Sequence, residues 1–171
     1  YKRQSEVLAV DISGKRLLTC RELVGPWGVL VDLLQADSRA IVLSRCADAA
    51  LVDAPCTNSG AIGRDPGLRL ALWDLTAEEL AARSRAQRGI LRRTLQNVRV
   101  HGVVAYATCS LFPEEGEDVV KEFIEDVVLF PPSPAFTSGY PRYDFADYVG
   151  RSFPHIHRAD GFFVATMRRA R

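Results

Sequence analysis

The sequence predicts an α/β fold built on a mostly parallel, doubly wound sheet, and three observations carry that expectation. Short apolar runs alternate with helix-patterned stretches, the order that produces parallel strands joined by crossover helices. Two of the runs end in an acid, at Asp11 and Asp53. Two cysteines, Cys56 and Cys109, follow the apolar runs Ala50-Leu51-Val52 and Val103-Val104-Ala105-Tyr106, and in open α/β sheets the carboxyl ends of strands are where ligands bind.

Taken in order, Val7-Leu8-Ala9-Val10-Asp11 reads as a strand, and the residues after it, with Leu17, Leu18 and Leu23, as a helix. Residues 29–45 are too irregular to place a strand, and the next clear unit ends at Asp53. Thr76-Ala77-Glu78-Glu79 opens a helix as a capping box, with an inward stripe of Leu80, Gln87, Leu91 and Leu95. Gly102 precedes a strand from Val103 to Thr108. Pro113-Glu114-Glu115-Gly116 then leads into a helix that buries Val119, Val120, Phe123 and Ile124. Residues 130–147, rich in proline and aromatics without a period, read as a surface loop. Phe162-Phe163-Val164-Ala165-Thr166 is a late strand.

A chain of 171 residues with 47% hydrophobic and 25% charged content is expected to form one domain with a sizeable core. No apolar run approaches the ~18 residues of a membrane span, and Tyr1-Lys2-Arg3-Gln4-Ser5 lacks the core of a signal peptide. A soluble, monomeric protein with no membrane partner is expected. Cys20, Cys46, Cys56 and Cys109 contain no CxxC pair, so free thiols in a reducing intracellular compartment (the cytoplasm, in a bacterium) are expected rather than disulfides or a zinc site. His155 and His157, two residues apart, lack further ligands for a metal.

The formal net charge of +1 is small for a nucleic-acid binder. Distribution matters more than the sum. Arg85, Arg88 and Arg92 have the i, i+3, i+7 spacing of one helix face, which is either an RNA-contacting surface or a solvated helix back.

Proline at 55 cannot extend a strand ladder, so the chain must leave the sheet there. The loop is expected to turn outward and present Cys56, with the small residues Thr57, Ser59 and Gly60 leaving room for a planar ring. Cys109 lies before Pro113, where a helix N-terminus would support a thiolate. His101 stands at the other end of the Cys109 strand, which disfavours a Cys–His hydrolase.

Asp53-Ala54-Pro55-Cys56 together with Tyr106-Ala107-Thr108-Cys109-Ser110-Leu111 and Pro113-Glu114-Glu115 closely resembles the RNA cytosine-5 methyltransferases of the Sun/NOP2 type. The resemblance runs from about Val7 to the C-terminus, where the family has a similar H-x-x-D-G-F-F closing hairpin. It departs at Ala107, at Gly116 where the family has Asn, and at His101-Gly102 where it favours Gly-Gly. The resemblance implies a Rossmann-like methyltransferase sheet and S-adenosylmethionine as cofactor, with Asp11 at the ribose, Asp37 at the adenine amino group, and Asp53 near the methionine end and the target base. It implies that Cys109 is the nucleophile that adds to cytosine C6 and that Cys56 helps release the product. Arg64, in Arg64-Asp65-Pro66, corresponds loosely to an RNA-contacting position, and Gln87 matches a family glutamine. The substrate implied is RNA, with ribosomal RNA favoured over tRNA because Pro55-Cys56-Thr57-Asn58-Ser59-Gly60 is most similar to bacterial ribosomal examples.

The family's first strand and its glycine-rich cofactor loop would precede Asp11 by about 20 residues on the dinucleotide-binding pattern. No glycine precedes Gly14, so residues 1–171 are expected to be a partial catalytic domain. The competing expectation is a methyltransferase-like scaffold that binds RNA or protein without catalysis.

Overall fold

The structure, a computed structural model, describes residues 6–28 and 30–171. The chain divides between Val42 and Leu43 into two compact units. In the first, strand β1 (Val7–Asp11) leads directly into helix α1 (Gly14–Val24), because Ser13 is extended and its Oγ caps the Arg16 amide. Strand β2 (Val31–Gln35) pairs in parallel with β1, placing Gln35 opposite Asp11. This strand lies where the sequence pattern placed none. Only Val31 and Leu33 turn inward while Leu34 is exposed, so the alternation is too brief to read.

The second unit holds β3 (Ala47–Asp53), α2 (Gly67–Trp73), α3 (Ala77–Asn97), β4 (Val98–Thr108), α4 (Glu117–Lys121), β5 (Val127–Phe130), β6 (Thr137–Ser138), β7 (Gly150–Ser152), α5 (Pro154–His157) and β8 (Phe162–Arg169). Its sheet runs β3-β4-β8-β7-β6, and β5 also pairs with β8. β3 and β4 are parallel, joined by the α2–α3 crossover. Beyond β4 the sheet turns antiparallel: the expected late strand is β8 (Phe162–Arg169), which pairs antiparallel with β4, β5 and β7, and the sequence pattern did not resolve β5, β6 and β7. The connection between β7 and β8 is too short for a parallel crossover.

α3 begins with the expected capping box between Thr76 and Glu79. Its stripe of Gln87, Leu91 and Leu95 is buried, while Leu80 is only partly so. Leu91 packs with Val52, Val104, Tyr106, Val119, Phe163 and Met167 in the core, and truncating such a residue to Ala typically costs ~2–5 kcal/mol. β4 starts at Val98 rather than after Gly102. Ala47 pairs with Val98 and Ala49 with Val103, leaving a bulge that contains His101 at φ +65°.

Two further expectations change. Residues 130–147 are not merely a surface loop, because they contain β6 and bury Tyr143, whose hydroxyl donates to Asp118 at 2.7 Å. The expected closing hairpin around His155 and His157 begins instead with the helical turn α5, in which His157 Nδ1 accepts from the Phe153 amide at 3.0 Å. Among the described residues no helix is long and apolar enough to cross a membrane.

Candidate active site

The parallel register of β3 and β4 sets Asp53 opposite Ala107, so both strands deliver their following loops to one edge. The Ala54 amide still donates to the Ala107 carbonyl at 3.1 Å. Pro55 has no amide to continue the ladder, and the chain departs. The two loops are then stitched together. The Gly60 amide donates to the Cys109 carbonyl at 3.0 Å and the Leu111 amide to Ser59 Oγ at 2.9 Å, while Ser110 Oγ lies 3.3 Å from Thr57 Oγ1 and 3.2 Å from Ser59 Oγ. A Cβ at Gly60 would sit 1.9 Å from the Gly161 carbonyl oxygen, so this approach requires glycine. Thr57 and Ser59 are buried. The small residues therefore close-pack the loops instead of leaving an open berth for a ring.

This stitching places the Cys56 and Cys109 Sγ atoms 3.3 Å apart. Asn58, held in the left-handed region at φ +56°, which Asn tolerates better than most residues, turns its side chain back over both sulfurs. Cys109 Sγ donates to Asn58 Oδ1 at 2.8 Å, Cys56 Sγ stands 3.6 Å from the same oxygen, and the Asn58 amide donates to Cys56 Sγ at 3.4 Å.

The two thiols differ in access. Cys109 is partly exposed, whereas Cys56 is 9% exposed and burial pushes its thiol up to about 12. Cys56 is thus a protonated thiol at neutral pH, tucked beneath Cys109 and not presented outward as the proline turn suggested. The helix expected to support a thiolate is also different. Pro113–Glu115 is a single 3₁₀ turn, and α4 is five residues long with Glu117 and Asp118 in its first turn. Those acids offset what little dipole so short a helix has.

A buried carboxylate holds the Cys56 loop. Glu115, fully buried, accepts from the Thr57 amide through both oxygens at 3.1 Å, from Thr57 Oγ1 at 2.6 Å and from Gln87 Nε2 at 3.0 Å. Gln87 Nε2 also donates to the Pro55 carbonyl at 2.8 Å, and Tyr106 Oη donates to the Glu115 carbonyl at 2.8 Å. Gln87 is thereby a fixed link between α3 and both loops.

Asp53 ends β3 with an exposed side chain. In the first unit, Asp11 ends β1 and accepts from Arg16 Nη2 at 2.6 Å, Arg16 Nε at 2.8 Å and the Ser13 amide at 2.6 Å. The Arg16 guanidinium holds its carboxyl below the usual range. Asp37, just beyond β2, is paired with Arg39 at 2.6 Å, which lowers its carboxyl to about 2. Arg64 is paired with Asp160 at 3.0 Å. Arg88 and Arg92 both meet Glu122, Arg88 at 3.2 Å, whereas Arg85 is exposed on α3. The arginine stripe is therefore partly committed within the chain. His101, in the bulge at the start of β4, stands at the opposite end of that strand from Cys109. Among the described residues no group of three His, Cys, Asp or Glu side chains is placed to hold a metal.

The sequence pattern did not single out Asn58 as a thiol partner, nor Glu115, Glu117 and Arg151 as buried groups. Charged residues carry no apolar period to mark them as interior, and the only local signal was the acid-rich stretch Pro113-Glu114-Glu115-Gly116-Glu117, which begins four positions after Cys109.

Comparison with known proteins gives a consistent result. The sequence model of a family described as 16S rRNA methyltransferase RsmB/F matches residues 1–168. A tRNA (cytosine(72)-C(5))-methyltransferase of Pyrococcus horikoshii is 34% identical over 99% of this chain and 42% of its own length. Ribosomal RNA small subunit methyltransferase F of Erwinia tasmaniensis is 32% identical over 95% of this chain and 35% of its own length. The crystal structure of NSun6 from Pyrococcus horikoshii with SFG superposes with a TM-score of 0.82 at 35% identity, covering 98% of this chain and 42% of that one. The chain thus spans less than half the length of these relatives, and the superposition on the solved structure confirms the Rossmann-like class.

Proposed function

Because this chain belongs to the 16S rRNA methyltransferase RsmB/F family, we propose that the protein carrying it methylates C5 of a cytosine in RNA, with ribosomal RNA the favoured substrate, using S-adenosylmethionine and a covalent adduct between Cys109 and cytosine C6. The observation that carries the reading is the thiol pair, one sulfur accessible and one buried, 3.3 Å apart over a shared Asn58.

Cytosine C5 is not nucleophilic until a nucleophile has added at C6. Cys109 is the accessible thiol for that addition, once its proton has passed to solvent. Asp53, exposed at the end of β3, accepts from the N4 amino group of the base and passes a solvent-derived proton to N3, which neutralises the negative charge that develops on the ring as the thiolate adds at C6. Loss of the C5 proton to solvent then expels the Cys109 sulfur as a thiolate, and the Cys56 thiol, 3.3 Å away, assists its release by donating a hydrogen bond to the departing sulfur.

The cofactor assignment rests on donor chemistry. Asp11 and Asp37 stand at or just past the carboxyl ends of parallel β1 and β2, where a carboxylate accepts from ribose hydroxyls or an adenine amino group. Binding requires Arg16 and Arg39 to yield those carboxylates. S-adenosylmethionine, when bound, supplies an electrophilic methyl group. The relative crystallised with SFG, an analogue of that cofactor, supports the assignment.

The test is transfer of radiolabelled methyl from S-adenosylmethionine to a ribosomal RNA transcript by the protein that contains this chain, followed by nucleoside analysis. 5-Methylcytidine in the wild type and none with Cys109→Ala is the expected result. Label at another atom, or none, would sink the reading.

A further inference from the structure

The carboxylate of Glu117 and the guanidinium of Arg151 form an ion pair with both side chains at 0% exposure. Arg151 Nε donates to Glu117 Oε1 at 2.8 Å and Nη2 to Oε2 at 2.5 Å. The guanidinium lies between two rings, its Cζ 4.4 Å from the Tyr140 centroid and 4.9 Å from that of Phe163. A Cβ at Gly116 would stand 2.7 Å from Arg151 Nη2, so this glycine leaves the space the guanidinium fills.

Burying an ion pair is costly, and a well-packed apolar pair often stabilises a fold as well or better. The fold alone gives little reason for this arrangement. Its remaining contacts point elsewhere: Arg151 Nη1 donates to the Ser110 carbonyl at 3.1 Å, the Tyr140 amide donates to Glu117 Oε1 at 3.0 Å, and Tyr140 Oη donates to the Leu111 carbonyl at 2.8 Å. The two carbonyls immediately after Cys109 are thus tied to a buried charge pair, one end of which belongs to β7, where Arg151 pairs with Phe163 of β8. Glu115 anchors the Cys56 loop; this second acid, two residues on, anchors the loop of Cys109.

We propose that Arg151, clamped by Glu117, is a positioning residue for Cys109: it fixes the backbone after the nucleophile through the Ser110 carbonyl and touches neither substrate nor cofactor. The proposal rests on the methyltransferase reading above. Misplacement of a reacting group by about 1 Å can cost on the order of 10²-fold in rate, so the effect belongs in kcat and not in RNA affinity.

The experiment uses the protein that carries this chain, with Arg151→Lys and, separately, the apolar pair Arg151→Met with Glu117→Leu. Melting temperature, kcat and KM for methyl transfer to RNA, and the rate of Cys109 alkylation by iodoacetamide are measured for each. The apolar pair removes both buried charges but leaves the Tyr140 amide and the Ser110 carbonyl without these partners, so it is expected to fold with a lowered melting temperature, to lose about tenfold or more in kcat with KM for RNA unchanged, and to alkylate several-fold faster at Cys109 as its hold on Asn58 loosens. Arg151→Lys keeps the charge but cannot bridge Glu117 and Ser110 together, so it should show the same kcat loss at retained KM. A folded variant with wild-type kcat and alkylation rate overturns the proposal, as does loss of fold in both variants, which would assign the pair to stability alone. Absence of methyl transfer by the wild type would reject the functional reading instead; the alkylation rates then decide the positioning claim without it.

Discussion

The backbone N–H of Thr57 donates to both carboxylate oxygens of Glu115, 3.1 Å from each, so the residue after Cys56 is suspended from a buried acid 58 positions further along the chain. Replacing Glu115 by Ala leaves the Thr57 amide without a partner and removes one of the two acceptors of Gln87 Nε2. The expected loss is about 2–4 kcal/mol, the desolvation penalty of unpaired buried donors. Glu115→Gln keeps the shape and one carbonyl acceptor and should lose less. Chemical denaturation of both variants measures this, and a Glu115→Ala variant within about 0.5 kcal/mol of the wild type would show that the loop holds itself.

The buried Cys56 thiol gives a pH signature with a definite sign. Its folded-state value is raised from 9.0 to about 12, chiefly by burial. A group raised in this way contributes stability that is fully present below its unfolded value and is lost as pH rises through its folded value. Stability should therefore fall between about pH 9 and 12 more steeply in the wild type than in Cys56→Ala. The difference between the two curves isolates Cys56 from the lysines and tyrosines that titrate in the same window. Parallel curves would mean that the thiol is not desolvated. In the same material iodoacetamide at pH 8 should label Cys109 well before Cys56.

What the sequence revealed and what it concealed have separate physical causes. Asp53, Pro55, Cys56 and Cys109 were legible because strand ends, a ladder-breaking proline and the T-C-S context are local features, and the parallel register of β3 with β4 turns that local order into proximity. β2 escaped because its inward face is only Val31 and Leu33. The antiparallel strands around β8 escaped because β6 and β7 are two and three residues long, too short for any period. Glu115, Glu117 and Arg151 escaped because a charge in a sequence reads as surface. Only the three-dimensional pairing of Glu117 with Arg151, 34 positions apart, makes burial of either affordable.

The arginine face of α3 separates into committed and exposed members. Arg88 and Arg92 share Glu122, while Arg85 is exposed. If all three contact phosphate, the triple Gln variant should weaken RNA binding and reduce the salt slope by about 3 charges' worth, because each contact releases condensed counterion. If Glu122 keeps its two partners in the complex, Arg85→Gln alone should give nearly the whole change, a slope reduction of about 0.7–0.9. Fluorescence anisotropy across a salt series distinguishes these outcomes. An unchanged slope in the triple variant would return the helix face to ordinary solvation.

The separation of roles between the thiols makes the most specific prediction. Cys109 is the accessible sulfur and Cys56 the buried, protonated one. If Cys109 adds to C6, Cys109→Ala should abolish both methylation and any covalent RNA adduct, since the later steps need the enamine that this addition creates. If Cys56 assists release of the departing sulfur through its hydrogen bond, Cys56→Ala should still permit addition and methyl transfer but slow release, leaving protein on RNA as a complex that survives denaturation. The double variant should trap nothing. Denaturing gels of each protein incubated with RNA and S-adenosylmethionine give the readout. An adduct formed by Cys109→Ala and none by Cys56→Ala would exchange the two assignments, and would require the buried thiol to emerge from beneath Asn58 before it could attack.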